Sequence, residues 1–155
     1  MILEVDNVAK GYTQASKKLD VLNGLDLKID KPKSIAILGK SGSGKSTFLS
    51  LLGGLDRPDE GKIVVNGQNI TAMKESELAK YRAENIGIVF QQFHLLEHLN
   101  AYENVLLPLE VNGNHDKKER VDYFLEKVGM SHRKSHFPNQ LSGGEKQRIA
   151  IARAL

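Results

Sequence analysis

The chain contains no cysteine, which excludes disulfide staples and thiolate metal sites and agrees with a reducing compartment. No run approaches the roughly 18 consecutive apolar residues that would span a bilayer. Any membrane role is therefore expected to go through a partner. Neither sign of charge dominates: 22 basic residues oppose 19 acidic ones, leaving +3, which is too little to point to nucleic acid. Repeats, low-complexity tracts and Pro/Ser-rich linkers are also missing. The first ten residues, MILEVDNVAK, are acidic and amphipathic and predict a strand rather than a secretory signal. What is present is ordinary for one globular domain with a real core: 155 residues, 40% hydrophobic and 26% charged.

Periodicity orders the rest. Residues 2–8 and 21–29 alternate apolar and polar, as half-buried strands do, with Asn23-Gly24 expected as a bulge or turn. Residues 34–39 (SIAILG) and 86–91 (IGIVFQ) are apolar at successive positions, which predicts strands covered on both faces. A short strand is expected over 61–67 between glycine turns, and helices over 75–84, 101–111, 116–129 and after Leu141. Strands dominate early and helices late, so the expected fold is one α/β domain with a helical insertion.

Between the run 34–38 and an apolar helix beginning near Ser46 lies the loop Gly39, Lys40, Ser41, Gly42, Ser43, Gly44, Lys45, Ser46, Thr47. It fits G-x-x-x-x-G-K-[ST] in the strand–loop–helix context which that motif requires. Glycines let successive backbone N–H groups turn inward onto a phosphate. The helix that follows adds its unpaired first N–H groups and the positive end of its dipole. Lys45 is expected at the β/γ-phosphates, and the Ser46 hydroxyl on Mg²⁺. A plain glycine turn with a solvated lysine would not need all of these positions.

A second anion-binding design stands about 100 residues later. In LSGGEKQR (141–148), Ser142, Gly143, Gly144 and Glu145 head a helix. Ser142 and Glu145 also have the spacing of a capping box, and both roles are compatible, because a cap orients the same N–H groups. Together with the first loop, this stretch resembles the signature motif of the ABC-type ATPases, with Glu145 where glutamine is also common. The stretches LLGGLDRPDEGKI, IGIVFQQFHLLEHLNAYENVLLPL and NQLSGGEKQRIAIARAL resemble the subgroup serving lipoprotein release and macrolide or peptide export. The resemblance runs from Met1 to Leu155.

The resemblance implies a P-loop NTPase (RecA-like) core with an antiparallel β edge and an inserted helical subdomain, divided as 1–91 for the nucleotide and 92–155 for the signature. It implies ATP and Mg²⁺ as ligands, Tyr12 stacking on adenine, and Gln91 at the metal or the attacking water. It also implies a homodimer of ATP-binding subunits working on a membrane permease from the cytoplasmic side, with no nucleic acid. Residues 94–109 would face that partner, and Leu106, Leu107 and Leu109 are expected in the helix core. The family's Asp-Glu after the signature helix and its later histidine do not occur in these 155 residues. The chain is therefore expected to be incomplete at the C-terminus, to expose an unpaired sheet edge, and to be inactive alone. Two alternatives remain at this stage, an ATP-gated binding module without hydrolysis and a DNA-repair or chromosome-type ATPase. A GTPase is disfavoured, since no Asn-Lys-x-Asp guanine reader is present.

Other features read more plainly. His94/His98 and His132/His136 have i,i+4 spacing but no third ligand, which argues against a metal site. HDKKER (115–120) reads as a solvated helix face, and SHRKSH (131–136) as surface charge without the aromatics of a nucleic-acid site.

Overall fold

Simple alternation would put Val5 and Val8 on opposite faces of a strand, yet both are fully buried. A β-bulge reconciles them. In the computed structural model, which describes residues 1–14, 17–111 and 117–155 (backbone alone at 14, 17 and 18), strand β1 (Leu3–Gln14) shifts register between Val5 and Val8 against strand β2 (Lys17–Ile29). Asn7 takes a left-handed φ of 47° there, a conformation that asparagine tolerates better than most residues. Its N–H donates to Asp26 Oδ1 at 2.8 Å. Gly61 passes so close that a Cβ would collide with the Asp6 and Asn7 carbonyl oxygens, which fixes glycine at that position.

The sheet continues with β3 (Glu60–Val65) and the two-residue β4 (Gln68–Asn69), in the order β2-β1-β3-β4, with every pairing antiparallel. The expected irregularity at Asn23-Gly24 is present: Gly24 has φ +60° and the β1–β2 register slips between the pairs Val8–Leu25 and Lys10–Leu22. Helix α1 (Lys45–Leu52) follows the glycine-rich loop, and α2 (Glu75–Asn85) follows β4 and a short 3₁₀ turn.

The chain divides into two compact units, residues 1–82 and 83–155. In the first, the buried side chains come from the sheet (Val5, Val8, Leu22, Ile63), from α1 (Phe48, Leu51) and from α2 (Leu78, Tyr81). In the second, α3 (Ala101–Val111), α4 (Lys117–Lys127) and α5 (Gly143–Ala154) pack pairwise. Val105, Val121, Leu125, Met130 and Ile149 form the centre of that core. Asn100 and Glu103 cap α3 reciprocally, with N···O distances of 2.8 and 2.9 Å. Pro108 lies inside α3, where it removes the donor to Asn104 O. The Asn104 side chain is buried and holds the preceding turn, accepting from Leu96 N–H and donating to the Leu96, Leu99 and Asn100 carbonyls.

Two expectations fail. Residues 34–39 and 86–91 form no ladder among the described residues. Leu38 is 89% exposed, and Ile35, Val89 and Phe90 are exposed as well. A continuous apolar run records a demand for cover on both faces, whereas a strand also requires hydrogen-bonded neighbours, and none of the described strands pairs with these runs. The parallel part of the expected RecA-like core is therefore not formed as a ladder here, while the antiparallel part is. Within α3, Leu109 is buried and Leu106 packs on the core, but Leu107 is exposed. The rotation of 100° per residue carries it off the apolar face. His115 and Asp116, at the head of the charged run 115–120, lie outside the described residues. Among the described residues, no helix is long and apolar enough to cross a membrane.

Candidate functional site

The glycine-rich loop turns tightly because two of its glycines take conformations closed to other residues. Gly42 has φ +77° and Gly44 φ +85°. A Cβ on Gly44 would also stand 2.9 Å from Val21 Cγ1 and 3.0 Å from Leu22 Cδ2, so the loop lies directly on β2. A Cβ on Gly39 would stand 2.5 Å from Ser43 Oγ, across the mouth of the turn. Ser43 N–H donates to the Lys40 carbonyl at 3.2 Å and closes that turn.

Gly44 is the N-cap of α1 and supplies no side-chain acceptor, and the first turn of α1 holds no acidic residue. Helix geometry leaves the leading N–H groups without intrahelical partners, and their partial positive charge is uncompensated by a carboxylate. Lys45 folds back across the loop, its Nζ donating to Gly39 O at 2.9 Å and Lys40 O at 2.7 Å. The ammonium is thereby held at the loop's centre beside the helix head. This donor set (unpaired N–H groups, one ammonium, and the Ser46 and Thr47 hydroxyls) suits a polyphosphate chelating a hard cation.

Tyr12, on β1, belongs to the same unit. The residue is 42% exposed, and its hydroxyl donates to Asp56 Oδ2 at 2.8 Å. Desolvation and then the Asp56 carboxylate push the Tyr12 phenol above its ordinary pKa, against an opposing hydrogen bond with Thr47 of α1.

In the second unit, Ser142 is the N-cap of α5. Its N–H and its Oγ–H both donate to Glu145 Oε2 at 2.8 Å, and Glu145 N–H returns a longer bond to Ser142 Oγ at 3.3 Å. The expected capping box is present. Arg133 Nε donates to Glu145 Oε1 at 2.9 Å. The donors from Ser142, with Arg133 behind them, hold the Glu145 carboxyl down at about 2. Gly143 and Gly144 open α5 with no atom crowding a Cβ at the first and only an arginine tip, 3.8 Å away, at the second.

Gln91 lies in this second unit, exposed and in a turn rather than at the end of a strand. The two residues after Gln92 are strained: Phe93 has φ 61° and His94 φ 47°. Arg153, near the end of α5, donates to their carbonyls at 2.7 and 2.6 Å. Burial pushes its guanidinium pKa down. Gly87 runs against the Ala154 carbonyl with no room for a side chain. The helix headed by Ser142 thus grips the turn after Gln91 at its far end. Sequence reading missed Arg133, Arg153 and Asp56, whose partners are 12, about 60 and 44 residues away. No local spacing rule reaches that far. Among the described residues, no group of three or more His, Asp or Glu could hold a metal. His132 lies in a 3₁₀ turn, and His136 Nε2 lies 3.0 Å from Arg133 Nη1.

Comparison with known proteins agrees with this geometry. The family model described as ABC transporter matches residues 22–155. An uncharacterized ABC transporter ATP-binding protein, YknY of Bacillus subtilis (strain 168), is 46% identical over 156 residues, which is 99% of this chain and 68% of that protein. The lipoprotein-releasing system ATP-binding protein LolD of Saccharophagus degradans (strain 2-40) is 44% identical over the same shares. Among solved structures, the ATP-binding cassette MJ0796, in a dimeric post-hydrolysis state bound to ADP and Pi, superposes with a TM-score of 0.93 at 38% identity. That match covers 99% of this chain and 69% of the cassette. With a glycine-rich loop at the head of α1, a capped Ser-Gly-Gly-Glu turn at the head of α5 and these relatives along its length, the chain belongs to the ABC transporter ATP-binding proteins.

Proposed function

We propose that the protein binds Mg²⁺-ATP and couples its binding and hydrolysis to membrane subunits that release lipoproteins or export a related cargo. The observation that carries this reading is the cradle: an ammonium fixed by two loop carbonyls at the head of a helix with no first-turn carboxylate. Lys45 would hold the β/γ-phosphates, with the backbone of residues 39–44 around them. Ser46 would ligate Mg²⁺, with Thr47 beside it, and Tyr12 would stack on the base. Bound Mg²⁺ would supply charge neutralisation between phosphate oxygens. Gln91 would join the metal or the attacking water.

Ser142, Gly143, Gly144 and Glu145 would receive the γ-phosphate held by a second copy, so that two chains close over two nucleotides. Support for the pairing comes from the dimeric state of the cassette structures of MJ0796. Support for lipoprotein release comes from the names of the LolD relatives. In this reading the site works at the inner face of the cell membrane, through a permease partner and without nucleic acid.

A second reading, an ATP-gated binding module, keeps the cradle around Lys45 and drops hydrolysis. Phosphate release from the full-length gene product separates the two. Steady turnover that is lost in Lys45→Ala supports the ATPase. Tight ATP binding with no release above background supports the binding module.

A further inference from the structure

Tyr12 is the one candidate ligand-binding residue of the first unit that stands on a strand rather than in the loop or on α1, so something must set its distance from the cradle. Lys10 and Tyr12 project from β1 towards the segment that follows α1. That segment begins where α1 ends: Gly53 N–H donates to Leu49 O at 2.9 Å, and Leu55 N–H to Ser50 O at 2.8 Å. Asp56 comes next. Its Oδ2 accepts the Tyr12 hydroxyl at 2.8 Å, and its Oδ1 accepts Lys10 Nζ at 3.0 Å.

The same lysine donates to Arg57 O at 2.7 Å, stands 3.6 Å from Asp59 Oδ1, and lies 5.2 Å from the centre of the Tyr12 ring. Its side chain is 11% exposed, so these partners replace most of its water. Two bonds from backbone N–H donors fasten the strand itself, Gly11 N–H to the Asp59 carboxylate Oδ2 at 2.8 Å and Asp59 N–H to Ala9 O at 2.9 Å. The segment 55–59 is therefore hydrogen-bonded both to the C-terminal end of α1 and to the strand carrying Tyr12. The N-terminal end of α1 is the phosphate cradle.

We infer that Asp56 is a positioning residue for the nucleotide base: by holding the Tyr12 hydroxyl, it fixes the ring at one distance from the phosphate cradle through the body of α1. This inference rests on the reading of Tyr12 as the adenine platform. A tyrosine ring turns about two side-chain bonds, and a tether at its far end removes that freedom before the ligand arrives. The tether acts on the base and not on the phosphates, because Asp56 makes no bond to residues 39–46 among those described.

The test is calorimetry on the full-length gene product with Mg²⁺-ATP and Mg²⁺-tripolyphosphate as ligands. Tyr12→Phe keeps the ring and removes the tether, together with the phenol's bond to Thr47, without unpairing Lys10 from Asp56, and of the phenol's two bonds Asp56→Ala removes the tether alone. Both Tyr12→Phe and Asp56→Ala should weaken ATP about three- to tenfold, the net scale of one ordinary hydrogen bond, with tripolyphosphate unchanged. The double variant should be no weaker than the worse single one. Equal weakening of both ligands by Asp56→Ala, full additivity in the double variant, or an unaltered ATP affinity in Tyr12→Phe would overturn the inference. Tyr12→Ala separates it from the reading on which it rests. If Tyr12→Ala weakens ATP selectively while Tyr12→Phe does not, the platform stands and the tether falls. If Tyr12→Ala weakens both ligands equally, both fall.

Discussion

Arg133 Nε and Glu145 Oε1 lie 2.9 Å apart, joining a 3₁₀ turn to the first turn of α5. The pair places a cation behind the carboxylate that caps the signature loop. A loop proposed to receive a phosphate would otherwise present an uncompensated negative charge. Arg133 also approaches His136 Nε2 at 3.0 Å, so the guanidinium is steered from two sides.

The titration of Glu145 follows from this arrangement. Its carboxyl is held at about 2 against an ordinary 4.5, first by the Ser142 backbone and side-chain donors and then by Arg133. A depressed carboxyl pKa stabilises the folded state fully above about pH 4.5, and that contribution is lost as the pH falls towards 2. Arg133→Ala and Ser142→Ala should each raise the Glu145 pKa measured by NMR. Neither should restore the ordinary value, because the Ser142 N–H remains in both. Glu145→Gln should flatten the acid limb of a denaturation-versus-pH profile between those two values. An unmoved Glu145 pKa in both variants would mean that the network does not persist in solution.

Gly42 and Gly44 separate backbone strain from crowding. Gly42→Ala meets no atom within 4 Å and should lose only the cost of a left-handed alanine, about 1–2 kcal/mol. Gly44→Ala adds a collision with Val21 and Leu22 and should lose more, about 2–4 kcal/mol in urea denaturation. Equal losses would show that the loop moves off β2 to make room.

Arg153→Ala should release the Phe93 and His94 carbonyls from their 2.7 and 2.6 Å donors. Left-handed residues persist only where their surroundings impose them. Amide exchange at residues 91–95 should accelerate by about one order of magnitude, equivalent to about 1.4 kcal/mol, while the α3–α4 core stays protected. Exchange unaltered at 91–95 would mean that the turn holds itself.

Much of the site was legible because its parts are local. The P-loop spacing, the capping of α5 by Ser142 and Glu145, and the turn at Asn23-Gly24 each depend on residues within a few positions of one another. The bulge at Asn7 was not legible, although it decides that Val5 and Val8 share a face: alternation alone cannot reveal a parity change. Residues 34–39 and 86–91 were misread as formed strands, because an apolar run specifies what it needs and not which neighbour supplies it. Asp56, Arg133 and Arg153 could not be found by pattern, since each meets its partner through the fold.

The central claim is that the loop from Gly39 to Thr47 binds the phosphates of ATP through Lys45. Calorimetric titration of Mg²⁺-ATP into the full-length gene product and its Lys45→Ala variant tests it most directly. Removing a charge-assisted contact worth about 1.5–3 kcal/mol should weaken binding roughly ten- to a hundredfold, with the melting temperature of the ligand-free protein little altered. Equal ATP affinity in the two proteins would contradict the account.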